Sequence, residues 1–296
     1  MRGSDVIAAL AHAFPSAAKA AITLSLGRKL PFAIHTHWAV RRLLPELFPD
    51  GVLTTINGMA FKVPAIAAAY YREYEPATQK LIERCLQPGM VFIDVGANIG
   101  FFSVVAAQIV GNTGKVYAFE PSPRNIPLLR RNIEARGLSN VEIHEVALGE
   151  TNCARKLQVT LDQLTDGFVA GPYSPVLYTQ RVDQRRLDDI IQSRVDFVKI
   201  DVEGAELQVL QGMSGLIRKN SHISFVVEWG PAMMRAAGHS PEELPQFFKN
   251  LGFTKMQVIE HGNTYSVEEM LALFKADESG TRYANLFVQP KSPAQQ

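Results

Sequence analysis

The sequence predicts an α/β fold: a Rossmann-like, seven-stranded and mostly parallel sheet with helices on both faces. From Met90 onward, apolar runs of strand length alternate with helical stretches, which is the pattern of successive βα units. A glycine-containing turn directly follows the first of these strands. The chain has 296 residues, of which 47% are hydrophobic and 20% charged, so it can bury a large core without disulfides.

The N-terminal region predicts a short amphipathic helix. The segment Ile7–Leu26 is apolar, but Pro15 and several polar residues interrupt it, unlike a signal peptide or a membrane span. Its first apolar residues fall at helical spacing, which predicts packing on the main domain, with peripheral contact to a membrane surface as the alternative. His35 and His37 lie close together, but no further ligand is near, so we expect no metal there.

A small β element precedes the main domain. Val52–Ile56 and Met59–Val63 are strand-like runs on either side of Asn57-Gly58, a hairpin turn signal. Residues 66–86 are predicted to be helical. We therefore divide the chain into an N-terminal helical and β-hairpin extension, 1–65, and a main domain, 66–290.

The main domain contains seven predicted strands and the helices that connect them. The strands are Val91–Val95, Lys115–Phe119, Val141–Val146, Phe197–Ile200, Ser224–Glu228, Phe253–Ile259 and Ala284–Val288. The helices are Phe101–Val110, Pro123–Arg136, Ala205–Lys219 and Pro241–Leu251.

A long connection separates the third predicted strand from the fourth. Lys156–Thr160 and Tyr178–Val182 within it are strand-like, and glycines and prolines lie between them. We expect an inserted hairpin whose loop, 162–180, faces the substrate.

Charge and cysteine content exclude several classes of protein. Thirty Lys and Arg against 29 Asp and Glu give a formal net charge of +1, whereas non-specific binding of nucleic acid requires many unopposed cations. Cys85 and Cys153 are the only cysteines and lie far apart, so neither a zinc site nor a disulfide framework is expected. We predict a cytoplasmic protein that does not bind nucleic acid; its oligomeric state is not predicted.

The segment from Asp94 to Gly100 has the character of a nucleotide-binding turn. It runs from a buried strand through glycines into a helix, where free backbone N–H groups are offered to a ligand. A dinucleotide fingerprint ending at Gly100 would require glycines where Val95 and Ala97 stand, so NAD is disfavoured. Glu120 closes the second strand, where its carboxylate can accept from both hydroxyls of an adenosine ribose.

Several segments together resemble the FkbM family of class I S-adenosylmethionine-dependent methyltransferases. They are Phe92–Gly100, Ala118–Pro123, Arg131–Ile133, Val146–Gly149 and Val198–Glu206. The resemblance implies strand order 3-2-1-4-5-7-6 with strand seven antiparallel, S-adenosylmethionine as cofactor, and methyl transfer mostly to hydroxyl oxygen. It also implies acceptors such as carbohydrates, glycolipids and related natural products, and it makes 66–290 the methyltransferase domain.

The resemblance also assigns the residues that bind the cofactor. The turn would line the methionine moiety, Glu120 would hold the ribose, and the residue after the third strand would lie beside the adenine. The residues assigned are Glu75, Asp94, Gly96, Ala97, Asn98, Gly100, Glu120, Pro121, Ala147 and Asp201.

A hydroxyl acceptor needs a base or a metal, because it ionises far above pH 7. Asp201 follows the fourth strand, at the sheet edge where ligands bind, and is our first candidate for the base. Glu203 and Lys199 are the other predicted catalytic residues, and Glu206 would join Glu203 if the next helix began by Glu203. Helix capping is the alternative role for the acids. Further candidates for the base are His144, His222, His239 and His261.

Metal dependence is the weaker hypothesis. Asp201 and Glu228 end neighbouring strands and could bind Mg²⁺ through oxygen atoms. Catechol-type methyltransferases, however, use an Asp-Asn pair that Glu228-Trp229 does not reproduce, so no metal ligand is assigned. Trp229 would either stack on a sugar or pack in the core.

We therefore expect an S-adenosylmethionine-dependent O-methyltransferase that acts by in-line displacement with base assistance. The alternative is a catalytically silent, cofactor-binding partner subunit of a biosynthetic complex.

Overall fold

The structure is a computed structural model that describes residues 47–68, 70–160, 165–169, 175–275 and 283–290. The predicted N-terminal helix, His35 and His37 lie outside the described residues, as do residues 161–164 and 170–174 of the inserted loop. The chain divides into two compact units between Tyr74 and Glu75; the boundary near residue 65 stays a prediction.

The described part of the first unit is built on the expected hairpin. Strands β1 (Val52–Ile56) and β2 (Met59–Val63) pair antiparallel around Asn57-Gly58. The inward side chains of this small core, among them Ile56, Phe61 and Tyr71, are fully or almost fully buried.

The helix predicted over 66–86 is shorter than expected. The α-helix α1 covers only Pro76–Cys85, and two 3₁₀ turns, Ala65–Ala67 and Tyr70–Glu73, precede it. Pro76 explains the break, since a proline disfavours the right-handed helical conformation at the preceding residue. Glu75 has a φ of 40°.

The second unit contains the alternating elements predicted for the main domain. In chain order after α1 they are β3 (Val91–Val95), α2 (Phe101–Val110), β4 (Lys115–Phe119), α3 (Ile126–Glu134), β5 (Val141–His144), β6 (Ala147–Leu148), β7 (Cys153–Thr160), β8 (Val176–Arg185), α4 (Leu187–Ile190), β9 (Phe197–Ile200), α5 (Glu206–Gly212), α6 (Ser214–Lys219), β10 (Ser224–Trp229), α7 (Pro231–Ala236), α8 (Glu243–Asn250), β11 (Lys255–Val258), β12 (Thr264–Ser266), α9 (Val267–Lys275) and β13 (Ala284–Val288).

The main sheet has eight strands in the order β12-β11-β13-β10-β9-β3-β4-β5. Strands β10, β9, β3, β4 and β5 run parallel, and β13 is antiparallel to both of its neighbours. Numbered as predicted, the seven strands other than β12 therefore read 3-2-1-4-5-7-6. The short edge strand β12 was not predicted. Because β3 and β9 are central neighbours, their carboxyl ends meet at one edge of the sheet.

A second, three-stranded sheet carries the insertion, in the order β6-β8-β7. The predicted third strand ends at His144, and Ala147–Leu148 pair instead with β8. The inserted hairpin is also longer than predicted on both strands.

The helix predicted over Ala205–Lys219 is two helices, α5 and α6. At Gly212, where α5 ends, an added Cβ would lie 2.0 Å from the carbonyl oxygen of Gly149. The chain therefore packs too closely there for any larger residue. Helices α4, α7 and α9 were not predicted.

The core of the second unit lies between the main sheet and its helices. Its fully buried members include Val198, Ile200, Leu210, Phe225 and Phe248. Burial of each such side chain stabilises the fold by roughly 1.5–3 kcal/mol. No helix in the described part of the chain has the length and apolar composition that crossing a membrane requires.

Candidate functional site

The candidate site lies at the carboxyl ends of four adjacent parallel strands. Asp94 is in β3, Glu120 follows β4, Asp201 follows β9 and Glu228 is in β10. Parallel strands bring such ends together at one sheet edge, where open α/β sheets bind their ligands.

The turn after β3 requires glycine for geometric reasons. Gly96, Asn98 and Gly100 have φ values of 80°, 51° and 85°, in the left-handed region that glycine tolerates best. A Cβ added to Gly96 would lie 1.9 Å from the carbonyl oxygen of Asp201. The turn therefore packs directly against the end of β9.

Asp94 presents a buried oxygen atom toward this region. Its side chain is 1% exposed, and Ser103 Oγ donates to Asp94 Oδ2 at 2.6 Å. Asp94 Oδ1 is buried without a hydrogen-bond partner among the described residues. Burial raises the pKa of this carboxyl. A ligand with a charged N–H donor would satisfy the oxygen atom that the protein leaves unpaired.

Glu120 is held by backbone amides. Asn98 N donates to Oε2 and Ser122 N to Oε1, each at 2.8 Å, and Asn125 Nδ2 lies 3.4 Å from Oε1. A carboxylate has about four acceptor positions, so about one remains for a ligand hydroxyl, where two were expected. Burial raises the pKa of Glu120 to about 7.

Lys199 is a buried cation among carboxylates. Its Nζ donates to Asp201 Oδ2 at 2.7 Å and lies 4.6 Å from the centroid of the Phe102 ring. Burial alone would lower its pKa, but the charges of Asp201, Glu75 and Asp94 raise the pKa above the ordinary lysine value. Lys199 thus holds Asp201 by a charged hydrogen bond, and no helix cap is formed by that carboxylate in the described hydrogen bonds.

Three carboxylates meet at the carboxyl ends of β9 and β10. Asp201, Glu203 and Glu228 each offer an oxygen atom, and these atoms lie within 4.8 Å of one another. Burial, and then the charges of Asp201, Glu203 and Glu206, raise the pKa of Glu228 well above its ordinary value. The cluster therefore retains a proton more readily than separate carboxylates would.

Glu206 has a structural role at the start of α5. Its Oε1 accepts from Val202 N at 3.1 Å and from Gly204 N at 3.0 Å, and burial raises its pKa to about 7. Helix α5 begins at Glu206, so Glu203 precedes the helix and the two glutamates do not share a helical face. Glu203 has a φ of 57°.

The remaining predicted site residues surround this centre or lie elsewhere. The field of Glu75 acts on Lys199 and Glu228, Ala97 is buried in the turn, and Pro121 is half-buried after Glu120. Ala147 is buried in β6 and packs with Leu157, Val182 and Phe168.

Trp229 and the histidines make contacts of other kinds. Trp229 is fully buried and its Nε1 donates to Pro241 O at 3.0 Å, which makes it a core residue and excludes stacking on a sugar. The histidines contact other groups: His144 stacks on Phe119, His222 pairs with Asp196, His239 meets Gln208 and Glu243, and His261 lies by Tyr265.

Sequence reasoning missed Asp166. Its Oδ2 accepts from Ser122 Oγ at 2.7 Å, and its Oδ1 accepts from Thr160 N at 2.8 Å. The charge of Asp166 also raises the pKa of Glu120. The signal available in the sequence was Thr165-Asp166-Gly167, a turn signature within an otherwise irregular stretch.

The residues present fit S-adenosylmethionine. Asp94 Oδ1 is an unpaired buried acceptor suited to an ammonium group, and Glu120 retains an acceptor position suited to a ribose hydroxyl. The glycine turn adds the close backbone approach that such a ligand requires.

The site segments coincide with a known family. The model of the methyltransferase FkbM domain matches residues 94–255. A probable cobalt-precorrin-6B C(15)-methyltransferase (decarboxylating) of Sulfolobus acidocaldarius is 42% identical over 83 residues, which are 28% of this chain and 41% of that protein. Methyltransferase 1 of Beauveria bassiana is 27% identical over 143 residues, which are 41% of this chain and 57% of that protein.

Among solved structures, the methyltransferase FkbM of Methylobacillus flagellatus is similar over 77% of this chain and 54% of that one, with 16% identity and a TM-score of 0.40. The chain spans about half of the length of each of these two curated relatives.

Proposed function

Since the chain belongs to the methyltransferase FkbM domain family of S-adenosylmethionine-dependent methyltransferases, we propose that it transfers a methyl group to a hydroxyl oxygen of a carbohydrate, glycolipid or related natural product. One observation carries the proposal: the carboxylates of Asp201, Glu203 and Glu228 form a cluster, and the backbone of Asp201 packs against the glycine turn expected to hold the cofactor. Proton acceptors beside a methyl donor are what a neutral hydroxyl acceptor needs.

The cofactor, when bound, supplies an electrophilic methyl group on a sulfonium. We assign its binding to the residues around the turn. Asp94 accepts from the ammonium group, Glu120 accepts from a ribose hydroxyl, and Gly96, Ala97, Asn98 and Gly100 allow the backbone to approach. Pro121, Ala147 and Glu75 complete the proposed pocket.

The protein's contribution to the transfer is orientation and removal of a proton. In-line displacement requires that the acceptor oxygen be held in near-attack geometry. Asp201 is suited to take the proton, because it is partly exposed, with 17% of its side chain accessible. Lys199 Nζ holds Asp201 Oδ2 at 2.7 Å, so the side chain of Asp201 is already fixed in position.

Glu228 and Glu203 assist Asp201 in this proposal. The raised pKa of Glu228 means that its carboxyl binds a proton more tightly than a solvated glutamate does, so a Glu228 that is ionised at the start can receive the proton that Asp201 removes. The described loop residues next to Glu203 are proposed to select the acceptor.

The first test is calorimetric titration with S-adenosylhomocysteine, the demethylated product. We expect wild-type protein to bind with micromolar affinity, Glu120→Ala to lose binding, and Asp201→Asn to retain it. Asp183→Asn is the matched control, since Asp183 lies on β8 with 59% of its side chain exposed and pairs only with Arg185 among the described contacts. A folded wild-type protein that binds none would refute the proposal.

The second test screens hydroxyl acceptors with radiolabelled S-adenosylmethionine, with and without EDTA. We expect methyl transfer to at least one sugar-containing acceptor, little effect of EDTA, and loss of turnover in Asp201→Asn but not in Asp183→Asn. Turnover in Asp201→Asn equal to that of wild type would remove Asp201 as the base. Loss of wild-type turnover in EDTA, restored by Mg²⁺, would instead assign the carboxylate cluster to a metal.

A further inference from the structure

Segment 165–169 of the insertion contacts both halves of the proposed site. On the cofactor side, Ser122 donates its backbone N–H to Glu120 and its Oγ to Asp166, at 2.8 and 2.7 Å. Ser122 is fully buried and Asp166 is half-buried. One serine therefore joins the carboxylate expected to hold the ribose to a carboxylate of the inserted segment.

The next residue of the segment lies against the acceptor side. A Cβ added to Gly167 would lie 3.1 Å from the Cβ of Glu203. Gly167 also exchanges backbone hydrogen bonds with Gln158, at 2.7 and 3.2 Å, which fixes its position relative to β7. A larger residue at this position would require Glu203 to move by a few tenths of an ångström.

Phe168 anchors the far end of the segment. Its ring lies 3.9 Å below the guanidinium carbon of Arg155 and packs on Ala147, Leu157 and Val182. Ala147 is the residue assigned to the adenine side. Three consecutive residues thus contact the neighbours of the ribose, the acceptor and the adenine.

We propose that Asp166 is a positioning residue that ties the cofactor side of the site to its acceptor side, by holding segment 165–169 between Ser122 and Glu203. This inference rests on the proposed function. Asp166 accepts from Ser122 and from both the N–H and the hydroxyl of Thr160, so its carboxylate binds three donors from two separate parts of the chain. A neutral or shorter side chain cannot hold all three donors.

The test combines calorimetry with hydrogen exchange, using S-adenosylhomocysteine as the probe. Ser122→Ala and Asp166→Ala remove the two ends of one hydrogen bond. We expect each to weaken binding about fivefold, from the loss of a charge-assisted bond, and the double variant to be no weaker than Asp166→Ala. If the losses of affinity in the two single variants multiplied in the double variant, the inference would be overturned, because the free-energy effects of two residues that share a bond do not add.

The exchange experiment separates the two sides of the site. In wild-type protein, we expect the probe to slow exchange of the amides of Asn98 and Ser122, which bond to Glu120, and also of Gly167 and Gly204. In Asp166→Ala, the probe should still slow exchange at Asn98 and Ser122 but should no longer slow it at Gly167 and Gly204. Protection at all four amides would overturn the inference.

A pH series gives a readout that a purely structural role would not move. Glu120 is faced by Asn98, Ser122 and Asn125, and by the charge of Asp166. Asp166→Asn keeps the size but removes the charge, so the rise of affinity with pH should shift to lower pH; no shift would count against the inference. Asp183→Asn should match wild type in every assay. A wild-type protein without affinity for the probe would refute the proposed function, whereas normal wild-type binding with unaltered variants would refute only this inference.

Discussion

Replacing Gly96 with alanine tests the contact between the cofactor turn and the end of β9. The added Cβ would lie 1.9 Å from the carbonyl oxygen of Asp201 and 2.9 Å from its carbonyl carbon. Both atoms belong to the backbone, so the strand end itself must move. The substitution also forces alanine into a φ of 80°.

The cost divides into two parts that a matched variant separates. A left-handed conformation costs an L-residue about 1–2 kcal/mol, and overpacking adds roughly 1–3 kcal/mol. Gly238 has a φ of 86° with nothing within 4 Å of an added Cβ, so Gly238→Ala incurs only the first cost. We expect about 2–5 kcal/mol for Gly96→Ala and about 1–2 kcal/mol for Gly238→Ala.

Urea denaturation gives the free energies of unfolding, and titration with S-adenosylhomocysteine gives the effect on the site. In Gly96→Ala the free energy of binding should fall by a larger fraction than the free energy of unfolding, because the displaced carbonyl group belongs to Asp201. Gly238→Ala should bind S-adenosylhomocysteine as wild type does. Equal destabilisation by the two substitutions would refute the packing of the turn on β9.

Three further predictions concern buried charges. Since burial raises the pKa of Glu120 to about 7 and the ionised form is the better acceptor, affinity for S-adenosylhomocysteine should rise with pH through about 7; Glu120→Gln should flatten this dependence, and an unchanged profile would contradict the role. For Glu206, the folded pKa of about 7 lies above the unfolded value, so the carboxyl favours the folded state less as pH rises from about 4.5 to 7. The free energy of unfolding of Glu206→Gln relative to that of wild type should therefore increase over this pH interval, by at most about 3 kcal/mol. Urea denaturation at several pH values measures this difference, and a difference that does not change with pH would disprove the prediction. Lys199→Met should cost about 3–5 kcal/mol, because it leaves Asp201 and Asp94 without their buried cation, whereas a loss below about 1 kcal/mol would show that these acids are stabilised in another way.

The strands of the main sheet could be predicted because their apolar runs are long and bounded by turns. Val91–Val95, Lys115–Phe119, Phe197–Ile200 and Ala284–Val288 have the predicted limits. Elements decided by tertiary contacts could not be predicted. Helix α5 ends where Gly212 meets Gly149, a contact between residues far apart in the chain.

The candidate site was predictable to the same degree. Asp94 lies near the end of β3, and Gly96, Glu120 and Asp201 directly follow strands, so their convergence follows from topology. The hydrogen bonds from backbone amides to Glu120 and the burial of Trp229 depend on tertiary packing, which periodicity does not report. Asp166 bonds to Ser122 across a separation of 44 residues, from an irregular stretch that the strand pattern does not place.

The inserted hairpin leaves the main domain and returns to it at nearly the same point. Gly149 N donates to Arg185 O at 3.0 Å, and β6 pairs with the end of β8, so the entry and exit of the insertion are clasped together. An insertion closed at its base can change in length and composition at its outer end without altering strand order in the main sheet. The fold thereby lets the outer end of the hairpin vary while the parallel strands that carry Asp94, Glu120 and Asp201 keep their places in the main sheet.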